Sequence, residues 1–210
     1  MGIWGNAPQI TVMNFGTLGL NYYAFAKAAW NCELDVDELM ADYCRHYYGP
    51  GGAQALHFYE ELELATAAAG KTGCPLEAFE WSVPHVLTRS TRERLRASVQ
   101  GAEIAVAHAA LNFRHRVREL SLVMEYVERY CASLDKIEAT KTASESADPI
   151  RAAKHLDEAE KTGLDAFAFA HQHRKDRIFA MQEPDLNQNQ PMKRWHRNIV
   201  HARAKLSDKG

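Results

Sequence analysis

From His85 to Asp148 the chain has no proline and a single glycine, Gly101, while charged residues are spread throughout. A run of that length without punctuation leaves no place for hairpin turns, so the spacing of apolar residues decides what it becomes. Leu95, Val99, Ala102, Val106 and Ala109 advance by 4, 3, 4 and 3, which draws one apolar stripe along a helix. The stripe pauses near Leu111-Asn112. It resumes as Val117, Leu120, Met124, Val127, Cys131, Leu134 and Ile137, with Arg118, Glu125, Glu128, Arg129 and Lys136 on the other faces. Two helices in an antiparallel pair are predicted. The alternating steps also admit a coiled-coil seam, but the interruption and the aromatic residues favour a compact bundle.

Elsewhere the punctuation marks further helix ends. The polar run Thr140 to Asp148 is expected to be a loop, and Asp148 with Pro149 opens a new helix whose apolar face is Ile150, Ala153, Leu156, Leu164, Phe167 and Ala170. The Asn- and Gln-rich segment Pro184 to Pro191 ends it, and a last amphipathic helix runs from about Met192 to Leu206. Nine of the twelve glycines lie within the first 73 residues, so the first half holds shorter helices. Asp35 caps a helix from Val36, with Glu38 completing a capping box and Gly49-Pro50 closing it. The next helix runs from about Gly52 to Ala69, and an earlier one, opened by Thr17 or Asn21, reaches Trp30. Gln9 to Met13 is a lone strand candidate, and one strand cannot pair with itself. The expected fold is therefore all-α, a bundle of six or seven helices behind a short irregular or strand-like N-terminal segment.

Composition narrows the function classes. With 210 residues the chain can bury roughly 70–75% of its unfolded surface without a metal or disulfide staple. Its 46% hydrophobic and 25% charged residues and net charge of -2 fit neither a disordered tail nor a polycation shaped for nucleic acid. Cys32, Cys44, Cys74 and Cys131 have no CxxC or finger-like spacing and read as small buried hydrophobes. The start Met1-Gly2-Ile3-Trp4 lacks the basic region and apolar run of a signal peptide, and no uninterrupted apolar run approaches about 18 residues. A soluble chain without nucleic-acid or membrane partner is expected, and its compartment is not legible. His171 and His173 point to opposite sides of a helix, His196 and His201 are five apart, and His108 and His115 stand about 10.5 Å apart along a helix axis. None forms the i, i+4 pair of a helical zinc site, so neither metal nor cofactor is expected.

The run Asn14-Phe15-Gly16-Thr17-Leu18-Gly19-Leu20-Asn21-Tyr22-Tyr23-Ala24 continues through Ala29-Trp30-Asn31, Leu34-Asp35-Val36-Asp37-Glu38-Leu39, Asp42-Tyr43-Cys44-Arg45 and Tyr48-Gly49. It resembles the C-terminal helical region of a bacterial family of uncharacterised glycoside-hydrolase-like proteins with alpha-glucuronidase-like organisation. The resemblance covers residues 14–63, and Arg116-Val117 through Met124-Glu125-Tyr126 is similar more weakly. Where the family has Asp-Pro after the tryptophan, this chain has Asn31-Cys32. The resemblance implies an upstream (β/α)8 barrel as partner, with residues 1–30 a remnant of its last strand and helix and residues 31–210 the helical domain. Catalytic groups of such barrels sit at strand ends, so this chain is expected to be an accessory or structural domain without activity of its own.

Residue by residue, the candidates are few. Glycosidases need two carboxyl groups about 5–5.5 Å or about 6.5–9.5 Å apart. Glu60, Glu61 and Glu63, or Glu125 with Glu128, are raw material that reads equally as solvated helix surface, and no catalytic residue is assigned. In the aromatic segment between Gly70 and Thr88, expected to be non-helical, Trp81 and His85 are candidate carbohydrate contacts, with Asn14 at the head of the motif; alternatively Trp81 and Phe79 plug the bundle end. On the last helix Lys193, Arg194 and Arg197 are candidate anion contacts, against a reading in which Trp195 docks in the core and the cations are merely solvated. Residues 9–30 concentrate Ile10, Val12, Phe15, Tyr22, Phe25 and Trp30, more apolar area than one bundle face needs, so a homo-oligomer through that segment is also expected. Self-association defines the second reading, an independent interaction module.

Overall fold

The first-half helix boundaries trace to the groups the sequence marks. Asp35 Oδ1 accepts from the backbone N–H of Asp37 at 2.8 Å and of Glu38 at 3.0 Å, which caps α2, Val36–Tyr48. Gly49 closes it: φ is +57°, its N–H donates to the Arg45 carbonyl, and a Cβ there would stand 2.8 Å from the Phe113 ring. The computed structural model describes residues 15–71, 79–173 and 190–207. Among them are α1, Phe15–Trp30; α2; a 3₁₀ turn, Gly49–Gly51; α3, Gly52–Lys71; α4, Phe79–Val86; α5, Arg89–Val106; α6, Leu111–Glu145; α7, Pro149–Gln172; and α8, Gln190–Ser207. No strand occurs among the described residues, and the protein is an all-α helical bundle. The strand candidate Gln9 to Met13 lies outside them. Seven long helices stand where periodicity put them, and the eight-residue α4 occupies part of the segment expected to be non-helical.

Two further expectations need correction. Residues 140–145 are not a loop but the end of α6. Their hydroxyls turn back on the helix, with Thr140, Thr142, Ser144 and Ser146 each donating to the carbonyl four residues earlier. Thr140 and Ala143 are buried, so packing supplies what propensity does not. The helix ends in a Schellman arrangement, in which Asp148 N–H reaches the Ala143 carbonyl at 3.0 Å, Ala147 N–H reaches that of Ser144 at 3.3 Å, and Ala147 has φ 56°. Asp148 then caps α7 through the Arg151 N–H, with Pro149 at the first helical position as its fixed φ suits. The second correction concerns the α7 face. Leu156, Phe167 and Ala170 are buried as expected, but Ile150, Ala153 and Leu164 are exposed, and the buried face also takes in Ala152, Ala159, Gly163, Ala166 and Phe169, mostly small residues that admit close neighbours.

The chain divides into two units, with boundaries inside α3, α5 and α6. One unit holds the described residues up to Leu64 and Glu93–Met124. In it α1 packs on α2, and Gly51 brings Val106 and the Ala102 carbonyl of α5 and Val117 of α6 together; a Cβ there would stand 3.0–3.3 Å from them. Leu95, Val99, Ala102 and Val106 are all buried, as is Val117, so the stripe that defined α5 is its core face.

The other unit holds the described parts of Ala65–Arg92, Glu125–Gln172 and α8. Arg92, in the first turn of α5, donates to Asp135 on α6 at 2.7 Å, the pairing of an antiparallel hairpin. Along α6 and α7, Arg129 meets Asp165, Ser133 meets Ala159 and Lys136 meets Glu158, so numbers rise on one helix as they fall on the other. Trp195 of α8 seals the three together. It is 2% exposed, its Nε1–H donates to Ser133 Oγ at 2.8 Å, and Ser133 Oγ–H donates to the Ala159 carbonyl at 2.6 Å. The Phe167 ring meets the indole edge-on at 5.4 Å. Gly163 lies beneath it, where a Cβ would come within 2.2 Å of Trp195 Cζ2.

Two substitutions test these assignments. Gly163→Ala forces Trp195 out of its seat and should cost about 3 kcal/mol in urea unfolding, the upper range for overpacking a core. An unchanged midpoint would show that the indole is not pinned there. Ala147→Gly relieves a left-handed alanine on an exposed turn and should stabilise by about 1 kcal/mol; a lower melting temperature would contradict the Schellman assignment.

Candidate functional site

Tyr23, Tyr43, Tyr47 and Tyr48 stand at helical spacing on α1 and α2, so their rings gather on one seam. Tyr43 and Tyr47 stack at 5.0 Å and 12°, and Tyr23 leans on Tyr43 at 5.4 Å. Cations close both ends of this row: Lys27 Nζ lies 5.3 Å from the Tyr23 ring centre, and the Arg116 guanidinium of α6 lies 4.3 Å from that of Tyr47. Tyr48 meets the row edge-on and shares a buried 2.9 Å hydrogen bond with the Tyr59 hydroxyl of α3.

A pocket of about 620 Å³ opens beside the row, bordered by Gly19, Tyr22 and Tyr23 of α1, Asp42, Tyr43, His46 and Tyr47 of α2, and Arg116. Its size is that of a small-molecule site. The Asp42 carboxylate is already engaged: the Tyr23 hydroxyl donates to it at 2.6 Å and Arg45 at 2.7 Å, with His46 Nδ1 3.1 Å away. The Tyr23 hydroxyl above all, then Arg45, holds its carboxyl below the usual range. Arg116 donates one N–H to the Tyr47 carbonyl at 2.8 Å and has no carboxylate partner among the described residues. The Tyr43 hydroxyl is buried without a hydrogen-bond partner among the described residues, and burial above all pushes its pKa far up, so it stays protonated at any ordinary pH.

The residues singled out from sequence are distributed differently. Trp81 stands on α4, its side chain outside the described set, and His85, on the last turn of α4, is exposed. Asn14 lies outside the described residues. Lys193 and Arg194 fall in the early turns of α8, their side chains likewise outside the description, and Arg197 is exposed. Further along α8, Arg203 is engaged by Asp157 at 3.0 Å and by Glu160, so that part of the basic helix is tied to α7. A second pocket of about 440 Å³ in this unit lies along the later turns of α8, between Lys141 and Ser144 of α6 and His201 and Lys205 of α8.

Part of the acidic raw material is engaged: Glu61 accepts from Arg94 at 2.6 Å and Glu125 from Arg129 at 2.7 Å, and Glu60 lies 3.3 Å from His57 Nδ1. No group of three or more His, Cys, Asp or Glu among the described residues is placed to hold a metal ion. Cys44 and Cys131 are buried, and burial, with Glu60 second, pushes the Cys44 thiol up to about 12. Cys32 corrects the expectation for the cysteines: it is exposed, in the turn after α1, and Cys74 lies outside the described residues.

Sequence reasoning passed over Arg116 and Tyr47. The i, i+4 pair Tyr43 and Tyr47 was a readable signal for the row; that Arg116, 69 residues further on, closes it was not, because only the packing of α6 on α2 brings it there. No family model, curated protein or solved structure matches the chain.

Proposed function

We propose that the chain is a non-catalytic helical accessory domain of a glycoside-hydrolase-like, carbohydrate-active protein, and that it docks on a partner through the corner where α1 meets α2. The observation that carries this reading is Trp30, which is 95% exposed although large aromatics are among the more buried residues on average. Phe25, Leu34 and Val36 are exposed beside it in sequence, and all four lie inside the segment that bears the family resemblance. Tyr22 and Tyr23 on the same helix are partly buried, so α1 is seated on α2 by one face and offers another outward. An upstream barrel would supply the apolar surface this corner lacks. In this reading Glu61 and Glu125 serve as partners in ion pairs with Arg94 and Arg129. The carbohydrate contact proposed at Trp81 and His85 belongs to this reading, at the edge of the partner's cleft.

The same exposed corner favours a second reading, an independent module that assembles with copies of itself. Anion contact through Lys193, Arg194 and Arg197 belongs to that reading.

The purified chain should turn over neither aryl glycosides nor aryl uronides above blank. Turnover that disappears in Glu61→Gln would overturn the accessory role. In light scattering at micromolar concentration the chain should associate, and Phe25→Ser with Trp30→Ser should return it to one copy. A wild-type chain that stays monomeric would remove the second reading.

A further inference from the structure

The tyrosine row leaves the pocket beside it with an uncommon chemistry. Tyr47 has one ring face on Tyr43 and the other under the Arg116 guanidinium; Tyr43 lies between Tyr47 and Tyr23, and Tyr23 carries Lys27. These rings therefore meet the pocket with their edges. A sugar ring binds by laying its C–H face on a free aromatic face, which these three do not offer. The hydrogen-bearing edge of an aromatic ring is its positive rim and is complementary to the face of another aromatic ring.

The polar groups point to the rest of the ligand. Arg116 is half-buried and oriented by two contacts, one N–H on the Tyr47 carbonyl and its plane over the Tyr47 ring, which leaves a fork of donors fixed in place. Other arginines of this unit, Arg45 and Arg94, have a carboxylate, whereas Arg116 has none among the described residues. Asp42 does not compete for it, because Tyr23 and Arg45 already hold that carboxylate. Tyr43 borders the same pocket, while its hydroxyl is enclosed and has no hydrogen-bond partner among the described residues, so the pocket's exposed donor is Arg116.

We propose that this pocket binds a small aromatic carboxylic acid, with the carboxylate on the Arg116 guanidinium and the ring among the tyrosine edges. A volume of about 620 Å³ accommodates a benzoate-sized molecule with its first water shell. The site belongs to the chain itself and does not depend on the accessory-domain reading.

Benzoate is the probe, titrated into the full chain by calorimetry and ligand-observed NMR, beside benzyl alcohol, inorganic phosphate and methyl glucoside. Benzoate should bind saturably, and each of the other three should be at least about tenfold weaker, as loss of a charge-assisted hydrogen bond or of the ring contact requires. Arg116→Gln should weaken benzoate by about tenfold or more. Tyr43→Phe, which deletes only the enclosed hydroxyl, should leave benzoate affinity unchanged. Loss in Arg116→Gln beside retention in Tyr43→Phe separates a ligand contact from a general loosening of the pocket. Benzyl alcohol binding as well as benzoate would reduce the pocket to an apolar cavity and overturn the proposal. Phosphate or methyl glucoside matching benzoate, no saturation by benzoate, or unchanged affinity in Arg116→Gln would overturn it as well. Should Arg116→Gln not fold, Arg116→Lys, which keeps the charge but loses the planar fork, should bind benzoate several-fold more weakly, and equal affinity there would overturn the proposal.

Discussion

The hydrogen-bond chain from Trp195 Nε1 through Ser133 Oγ to the Ala159 carbonyl ties three helices at one point, and the unit around it depends on that point. An indole N–H is donor only, a serine hydroxyl both accepts and donates, and a helical carbonyl keeps a second lone pair free. The three groups can therefore be buried together with none left unsatisfied, which a water-excluding core demands. Burial of the indole also requires a glycine beneath it, and Gly163 supplies that gap. The ion pairs of Arg129, Lys136 and Arg203 lie around this centre at partly exposed positions. They contribute register more than stability, because exposed pairs are screened and the entropy of holding long side chains offsets much of the gain.

The other unit is organised on a different principle. Rings stack in a row and cations cap it, so α1, α2 and the start of α6 are held by aromatic faces rather than by a hydrogen-bonded knot. Such a row consumes its own faces and turns edges toward neighbouring space. The pocket and an Arg116 without a carboxylate among the described residues follow from that arrangement, and α1 carries Phe25 and Trp30 outward on its other face.

Reading the polar run after Ile137 as a loop shows where local preference misleads. Serine and threonine disfavour helix interiors because their hydroxyls compete for backbone groups, yet here the same hydroxyls bond to carbonyls within the helix while Thr140 and Ala143 pack inward. The α7 face was half legible. Leu156, Phe167 and Ala170 are buried as the pattern had them, but Ile150, Ala153 and Leu164 are exposed, and close approach of helices selects the small Ala152, Ala159, Gly163 and Ala166 instead.

Periodicity, caps and punctuation determined the all-α class, the seven long helices, the Asp35 and Asp148 caps and the break between α5 and α6, because each depends on groups within a few residues of one another. The buried stripes of α5 and early α6 were equally legible. What the tertiary structure alone decided is who meets whom: Ser133 beneath Trp195, Gly163 as its seat, Arg116 on Tyr47, and the carboxylates of Glu61 and Glu125 drawn into ion pairs. Those partners are separated by up to 69 residues, or stand on a helix face whose orientation no local pattern sets. Their meeting is fixed by packing, through the fit of one indole against a missing side chain and of one guanidinium against a ring.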